Sequence, residues 1–285
     1  MTDHHVFQQI AEFRFVKSVK LLAVAAIAVA AIVVCAAVAL QPSKNDQEGR
    51  IGVIGAMEVE VKTLKDSMSV DYTKTIAGME FFVGKLDDCD VVVVQCGMGK
   101  VNAGTCAQML ITEFNVTAII NTGAAGSLDN RLDIEDFVVS TDAVQHDFDV
   151  TPLSSPEKTY VKGEIPYTGK YSFEADKGMR AMAVKAITEC AKDVKYLEGR
   201  VCSGDQFIST QEQKDTIIAN FGGLCCEMEG AAIAQVCYLN DTPFVIIRAI
   251  SDKADGSESE DYPIFEKRAA ERSAKVVKYM LWELL

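Results

Sequence analysis

The stretch Phe244–Asp252, FVIIRAISD, constrains this chain more than any other. Pro243 precedes an apolar run, Phe244, Val245, Ile246 and Ile247, with the length and β-branching of a strand buried on both faces. The run then turns polar at Arg248, Ser251 and Asp252. Ligands of open α/β sheets bind at the carboxyl ends of strands, so these three residues stand at the expected mouth of a site. A carboxyl group leaving an apolar strand end can hold a raised pKa and act as a general acid. Asp252 fits a plain cap on the next helix or turn as well.

Short apolar runs alternate with helical stretches through residues 50–285. Ile51–Ala56 reads as a strand and Met57–Asp66 as a helix. Phe81–Leu86 and Val91–Cys96 read as neighbouring strands, followed by GMGK at 97–100 and a helix over 101–113. Ala118–Asn121 is a buried strand ending in TGAAGS at 122–127, and Phe137–Ala143 is another. Residues 153–175, with Pro156, Gly163, Pro166 and Gly169, read as a long loop or lid. Beyond it come a helix over 176–192, a strand over 195–203 leading to GDQFI, and a helix over 211–220. A short strand then enters an apolar helix within 224–239, and an amphipathic helix over 261–285 closes the chain. The order is that of one α/β domain with a parallel or mixed sheet.

The N-terminus departs from this pattern. Leu21–Leu40 holds twenty residues without a charge behind Arg14, Lys17 and Lys20, about the length a helix needs to cross a bilayer. The basic flank predicts a cytoplasmic tail over 1–20 and a transmembrane anchor or signal segment over 21–40. A linker over 41–49 follows, and then the folded domain over 50–285, membrane-anchored or exported. Ala37-Val38-Ala39 also allows a cleaved signal, and Cys35 is a weak lipid-attachment candidate. The nine cysteines pull the other way. They lie mostly in apolar runs without CxxC or framework spacing, which suits a reducing compartment. Without residues 1–40 the chain carries 39 acidic against 25 basic groups, net −14, which excludes a nucleic-acid footprint.

Candidate chemistry lies at the strand ends. In GAMEVE, Glu58 and Glu60 fall in a first helical turn, where the helix dipole favours carboxylates with or without a catalytic role. Glycine-rich GMGK and TGAAGS let a ligand approach the backbone, or are plain tight turns; neither has P-loop or dinucleotide spacing. Glu227 and Glu229 interrupt a buried segment and need partners, of which a ligand could be one. His146 is the only histidine outside the tail, so no metal site is assigned.

Read together, IGVIGAMEVEV, CGMGKVNAG, IINTGAAGSL, QHDFDVT, SGDQFI, CEMEGAAIAQVC and FVIIRAISDKAD resemble the 5′-methylthioadenosine/S-adenosylhomocysteine nucleosidases of the nucleoside phosphorylase superfamily. The motifs stand in family order over residues 51–283. The resemblance implies a single-domain αβα sandwich around a mixed twisted sheet, here preceded by an N-terminal hydrophobic helix. It further implies a homodimer and cofactor-free hydrolysis of the N-glycosidic bond of adenine thionucleosides. By motif, Glu60 matches the carboxylate that activates water and Asp252 the acid that protonates adenine N7. Glu229 matches the group that holds the ribose hydroxyls. Phe207 would stack on the purine, with the Ile208 backbone reading its edge. Met57, Met98 and Met228 would line the sugar and water side. Ala125, Gly126, Arg248 and Ser251 complete the substrate-binding set. Val150 and Leu153 match positions that reach into the partner subunit's alkylthio pocket, near which Tyr262 also falls. Ala124 departs from a common serine and Leu153 from a common aromatic. A purine nucleoside phosphorylase, a futalosine-type hydrolase and a tethered nucleoside-binding protein without turnover stay open as alternatives.

Overall fold

The structure is a computed structural model and describes residues 49–257 and 262–283. Along a strand, consecutive side chains point to opposite faces, so an uninterrupted apolar run demands cover on both. Val53, Val91, Val93, Ile120, Val245 and Ile247 bury themselves in one core, while Ile54, Val92, Val94, Ile119 and Ile246 belong to another. The strands are β1 (Ile51–Gly55), β2 (Ser69–Ile76), β3 (Met79–Leu86), β4 (Cys89–Gln95), β5 (Ala118–Ser127), β6 (Phe137–Gln145), β7 (Phe173–Glu174), β8 (Tyr196–Ser203), β9 (Cys225–Glu227) and β10 (Phe244–Asp252). The helices are α1 (Glu58–Ser67), α2 (Lys100–Phe114), α3 (Lys177–Cys190), α4 (Gln211–Phe221), α5 (Gly230–Leu239) and α6 (Tyr262–Trp282).

Helices α2 and α5 close one core with Ala103, Leu110, Ala231 and Ile233. Helices α1, α3 and α6 close the other with Leu64, Ala183, Ile187 and Val277. This is the αβα layering the resemblance implies. The sheet is mixed and runs β10-β6-β8-β9-β5-β1-β4-β3-β2, with β7 beside β6. Strand β10 also pairs with β5, so β5, β10, β6, β8 and β9 close into a ring. That closure is what assembles the site. It sets Gly123 beside Arg248, and Gly126 beside both Asp252 and Cys226.

Two segments differ from the sequence reading. TGAAGS is no tight turn: residues 122–127 continue β5, paired with β10 and then β9. Their small side chains leave room for groups that lie across the strand. The SVDYTKTI segment, to which the sequence reading gave no element, forms β2 at the edge of the sheet, exposed along nearly its whole length. Backbone pairing to β3, rather than burial, holds it there. Residues 153–175 hold little regular structure, as expected, beyond the end of a short 3₁₀ turn at Thr151–Leu153 and the two-residue β7.

The membrane-anchored or exported localisation is corrected. Among the described residues no helix is long and apolar enough to cross a membrane. The tail over 1–20, the hydrophobic segment over 21–40 and all but Gly49 of the linker lie outside the described residues. The eight cysteines from Cys89 to Cys237 are free thiols, all buried except Cys190.

Phe81 of β3 is fully buried and stacks on Phe114 of α2 with ring centroids 4.7 Å apart. Phe81→Ala should lower unfolding free energy by about 3–5 kcal/mol through lost burial and a residual cavity, measured by urea denaturation.

Candidate active site

A cleft opens where β5, β9 and β10 meet the start of α1 and the loop after β8. Met57, Glu60, Met98, Ala125, Gly126, Phe207, Ile208, Met228, Glu229, Arg248, Ser251 and Asp252 all line it. These residues come from six separate stretches of sequence. Val150 and Leu153 are not brought to this cleft; Val150 precedes the 3₁₀ turn and Leu153 ends it, 68% exposed. The side chain of Tyr262 lies outside what the structure describes.

Glu60 occupies the inner wall. Its Oε2 accepts the backbone N–H groups of Ala56 at 2.6 Å and Met57 at 2.9 Å, the reciprocal half of a capping box at the start of α1. Its Oε1 accepts the N–H of Ala124 at 2.9 Å. Burial raises its pKa above the ordinary carboxylate value, against the opposing pull of Arg248 and of these three N–H donors. Room for this arrangement depends on Gly123, where a Cβ would lie 2.3 Å from Glu60 Oε1 and 2.4 Å from Arg248 Nη1.

Arg248 sits at the centre, 1% exposed. Its Nη2 donates to Glu227 Oε2, to Asn121 Oδ1 at 2.8 Å and to Glu229 Oε2 at 3.3 Å. Its Nη1 donates to the Ala124 carbonyl at 3.2 Å and lies 3.9 Å from Glu60 Oε1. Burial works against the guanidinium charge, but Glu227, Glu229 and Glu60 outweigh it and raise the pKa. Arg248 lines the cleft as expected, yet its Nη groups are engaged by the protein's own oxygens, those of Glu227, Glu229, Asn121 and Ala124, and its buried Nε has no partner among the described residues.

Glu227 is the member that sequence reasoning left without a role. It accepts from Ser203 Oγ and from the N–H groups of Glu229 at 3.2 Å and Gly230 at 2.8 Å, so its charge faces both Arg248 and the positive end of α5. The available signal was the paired carboxylates of CEMEG in an otherwise buried run. Glu229 Oε1 accepts the Gly99 N–H at 2.9 Å. Burial pushes its pKa up to about 7, with Arg248 opposing and Glu227 adding to the rise. Ala56, Gln206 and Cys226 also line the cleft and carried no distinguishing signal.

Asp252 stands apart from this network. The pairing of β10 with β5 shifts register between Ile250 and Asp252, a bulge that turns both Ser251 and Asp252 toward the cleft. Ser251 Oγ donates to Asp252 Oδ2 at 2.8 Å, and the Ala254 N–H donates to Oδ1 at 2.8 Å. Phe207, 55% exposed, and Met98, 62% exposed, flank the mouth. Two carboxylates with different partners thus share one cleft, an arrangement suited to acid and base roles on one bond.

A family model described as the phosphorylase superfamily matches residues 50–281. The 5′-methylthioadenosine/S-adenosylhomocysteine nucleosidase of Shewanella pealeana is 40% identical over 236 residues, 82% of this chain and 100% of the relative. The chain belongs to this nucleosidase family of the phosphorylase superfamily. A solved nucleosidase from Colwellia psychrerythraea, in complex with adenine, is similar with a TM-score of 0.78 and 37% identity, covering 84% of this chain and 96% of that one. A futalosine hydrolase from Helicobacter pylori is similar too, with a TM-score of 0.75 and 31% identity over 82% of this chain and 98% of that one.

For this nucleosidase, Glu229 generates a prediction of sign. Its pKa lies above the unfolded carboxylate value of 4.5, so its contribution to stability is complete below that pH and is lost as pH rises toward about 7. The stability of the native chain relative to Glu229→Gln should therefore fall between about pH 4.5 and 7, read from urea unfolding at each pH.

Proposed function

We propose that the protein hydrolyses the N-glycosidic bond of 5′-methylthioadenosine and S-adenosylhomocysteine, releasing adenine with 5-methylthioribose or S-ribosylhomocysteine. The observation that carries this reading is the pairing of Glu60 and Asp252 across one cleft whose only lining cation, among the described residues, is already held by carboxylates.

Cleavage leaves the ribosyl carbon short of electrons and adenine with an electron pair. Asp252 gives a proton to adenine N7, so the C1′–N9 electrons depart into a neutral base. Glu60 takes a proton from the water whose oxygen forms the new bond at C1′. A buried carboxylate with a raised pKa is a stronger base for that step. Glu229 accepts from the ribose hydroxyls while Gly99 and Arg248 hold it in place. Phe207 stacks on the purine, the Ile208 backbone meets the base edge, and Met57, Met98 and Met228 surround the sugar. Arg248 sets Glu229 and Glu227 and does not itself hold an anion.

The same ion pairing speaks against phosphorolysis, which would require a cation free to bind phosphate. Lys100, the cation of the GMGK loop, is likewise engaged, 2.5 Å from Asp147 Oδ1 and 3.1 Å from Gln145 Oε1. A homodimer belongs to the proposal. Val150 and Leu153 lie off their own cleft on an accessible turn, suited to enter a partner's alkylthio pocket, and Met98 and Val101 remain exposed beside the mouth. Hydrolysis of futalosine is the second reading, favoured by the likeness to the Helicobacter pylori enzyme.

Adenine release in phosphate-free buffer, with methylthioadenosine, adenosylhomocysteine and futalosine offered separately, tests these readings. Release from the first two is expected; release from futalosine alone selects the second reading, and a requirement for phosphate refutes hydrolysis. Asp252→Asn should lower turnover by at least about a hundredfold while leaving binding of a nucleoside inhibitor nearly unchanged. Normal turnover by that variant would remove Asp252 from the acid role.

A further inference from the structure

Lys214 of α4 is 4% exposed, unusual for a lysine, and forms no ion pair among the described residues. A buried ammonium is costly unless it is well bonded. Its Nζ donates at 2.6 Å to the backbone carbonyl of Lys253, the residue directly after Asp252. Lys253 is fixed from its other end as well, where its own Nζ donates to the Leu132 carbonyl at 2.5 Å.

The next residue shows why such clamping matters. Ala254 is fully buried with φ of 54°, in the left-handed region that a Cβ disfavours. The Lys253 carbonyl and the Ala254 N–H belong to one planar trans peptide and point opposite ways, so the orientation in which Lys214 meets the carbonyl directs the Ala254 N–H onto Asp252 Oδ1. Around it the packing is close. A Cβ at Gly126 would lie 2.8 Å from Asp252 Oδ1 and 2.9 Å from the Ala254 methyl, and a Cβ at Gly256 would lie 2.6 Å from the Ser209 carbonyl ahead of α4. The segment after Asp252 is therefore pressed against the start of α4 in a strained turn.

We propose that Lys214 is a positioning residue for the Asp252 carboxyl, holding the Lys253–Ala254 peptide, against the strain of the left-handed Ala254 that follows it, in the orientation whose N–H fixes the acid at the base. This rests on the acid role proposed for Asp252. Lys214 touches neither substrate nor the reacting atoms; it acts through the Lys253 carbonyl and the Ala254 N–H. A misplaced acid slows the chemical step and leaves the stacking and ribose contacts that hold the substrate.

The test uses the full chain with methylthioadenosine as substrate, measuring kcat, KM and thermal midpoint for Lys214→Met, Lys214→Gln and Lys214→Arg. Lys214→Met should lower kcat by about tenfold or more with KM within about twofold. Lys214→Arg keeps donors toward the Lys253 carbonyl and should retain most of kcat. Adding Ala254→Gly to Lys214→Met should return part of the lost kcat, because glycine adopts the left-handed turn without strain. An unchanged kcat in Lys214→Met overturns the proposal. So does a loss shared by KM, or one that neither arginine nor Ala254→Gly relieves. Failure of both Lys214→Met and Lys214→Gln to fold also overturns it, by making Lys214 a determinant of the fold alone. Activity of the unmodified chain together with its loss in Asp252→Asn separates these outcomes from a failure of the acid assignment itself.

Discussion

The guanidinium of Arg248 is the interaction on which the rest of the site depends. One buried cation meets Glu227 and Glu229 within hydrogen-bond distance and stands 3.9 Å from Glu60, in surroundings almost free of solvent. Burying three carboxylates together would be prohibitive without it, since each would lose its hydration and repel the others. With it, each carboxylate keeps a distinct orientation. Glu227 faces the start of α5, Glu229 faces the Gly99 N–H, and Glu60 faces the backbone of Ala56, Met57 and Ala124. Such a pair adds little net stability against an apolar replacement, so its value lies in the geometry it imposes.

The fold supplies the conditions for that cluster. Ring closure of β5, β10, β6, β8 and β9 brings the distal parts of three strands into register without any being adjacent in sequence. Gly123 and Gly126 leave open the space that Glu60, Arg248 and Asp252 occupy, which explains a run of small residues inside a paired strand. The bulge near Ser251 then separates Asp252 from the ionic cluster, giving it its own partners, Ser251 and Ala254. Two carboxylates in one cleft thereby obtain different environments, the physical requirement for dividing proton donation from proton abstraction.

Much of this was legible before any coordinates. The apolar runs at 51–56, 91–96, 118–121 and 244–247 mark strands because only two-sided burial calls for continuous β-branched residues. Their polar ends named Glu60, Glu229 and Asp252, and the ordered motifs named the family. Less legible were β2, whose few apolar residues are interrupted by polar ones and stay exposed, and the strand character of TGAAGS, whose glycines and alanines report what crosses them rather than their own conformation. Glu227 showed only that it must have a partner. Which partner, an arginine twenty-one residues further on, required the pairing of both β9 and β10 with β5 in three dimensions.

Sequence by itself determined most of the element types, the α/β class, the family and the identity of the candidate acids, because periodicity and residue chemistry are local properties. Tertiary structure decided how those acids are held: that Arg248 serves the protein's carboxylates, that Glu227 joins them, and that Lys214 reaches the turn behind Asp252. Those assignments depend on distances between segments separated by tens of residues. Such distances follow from strand register and sheet closure, which no local pattern encodes.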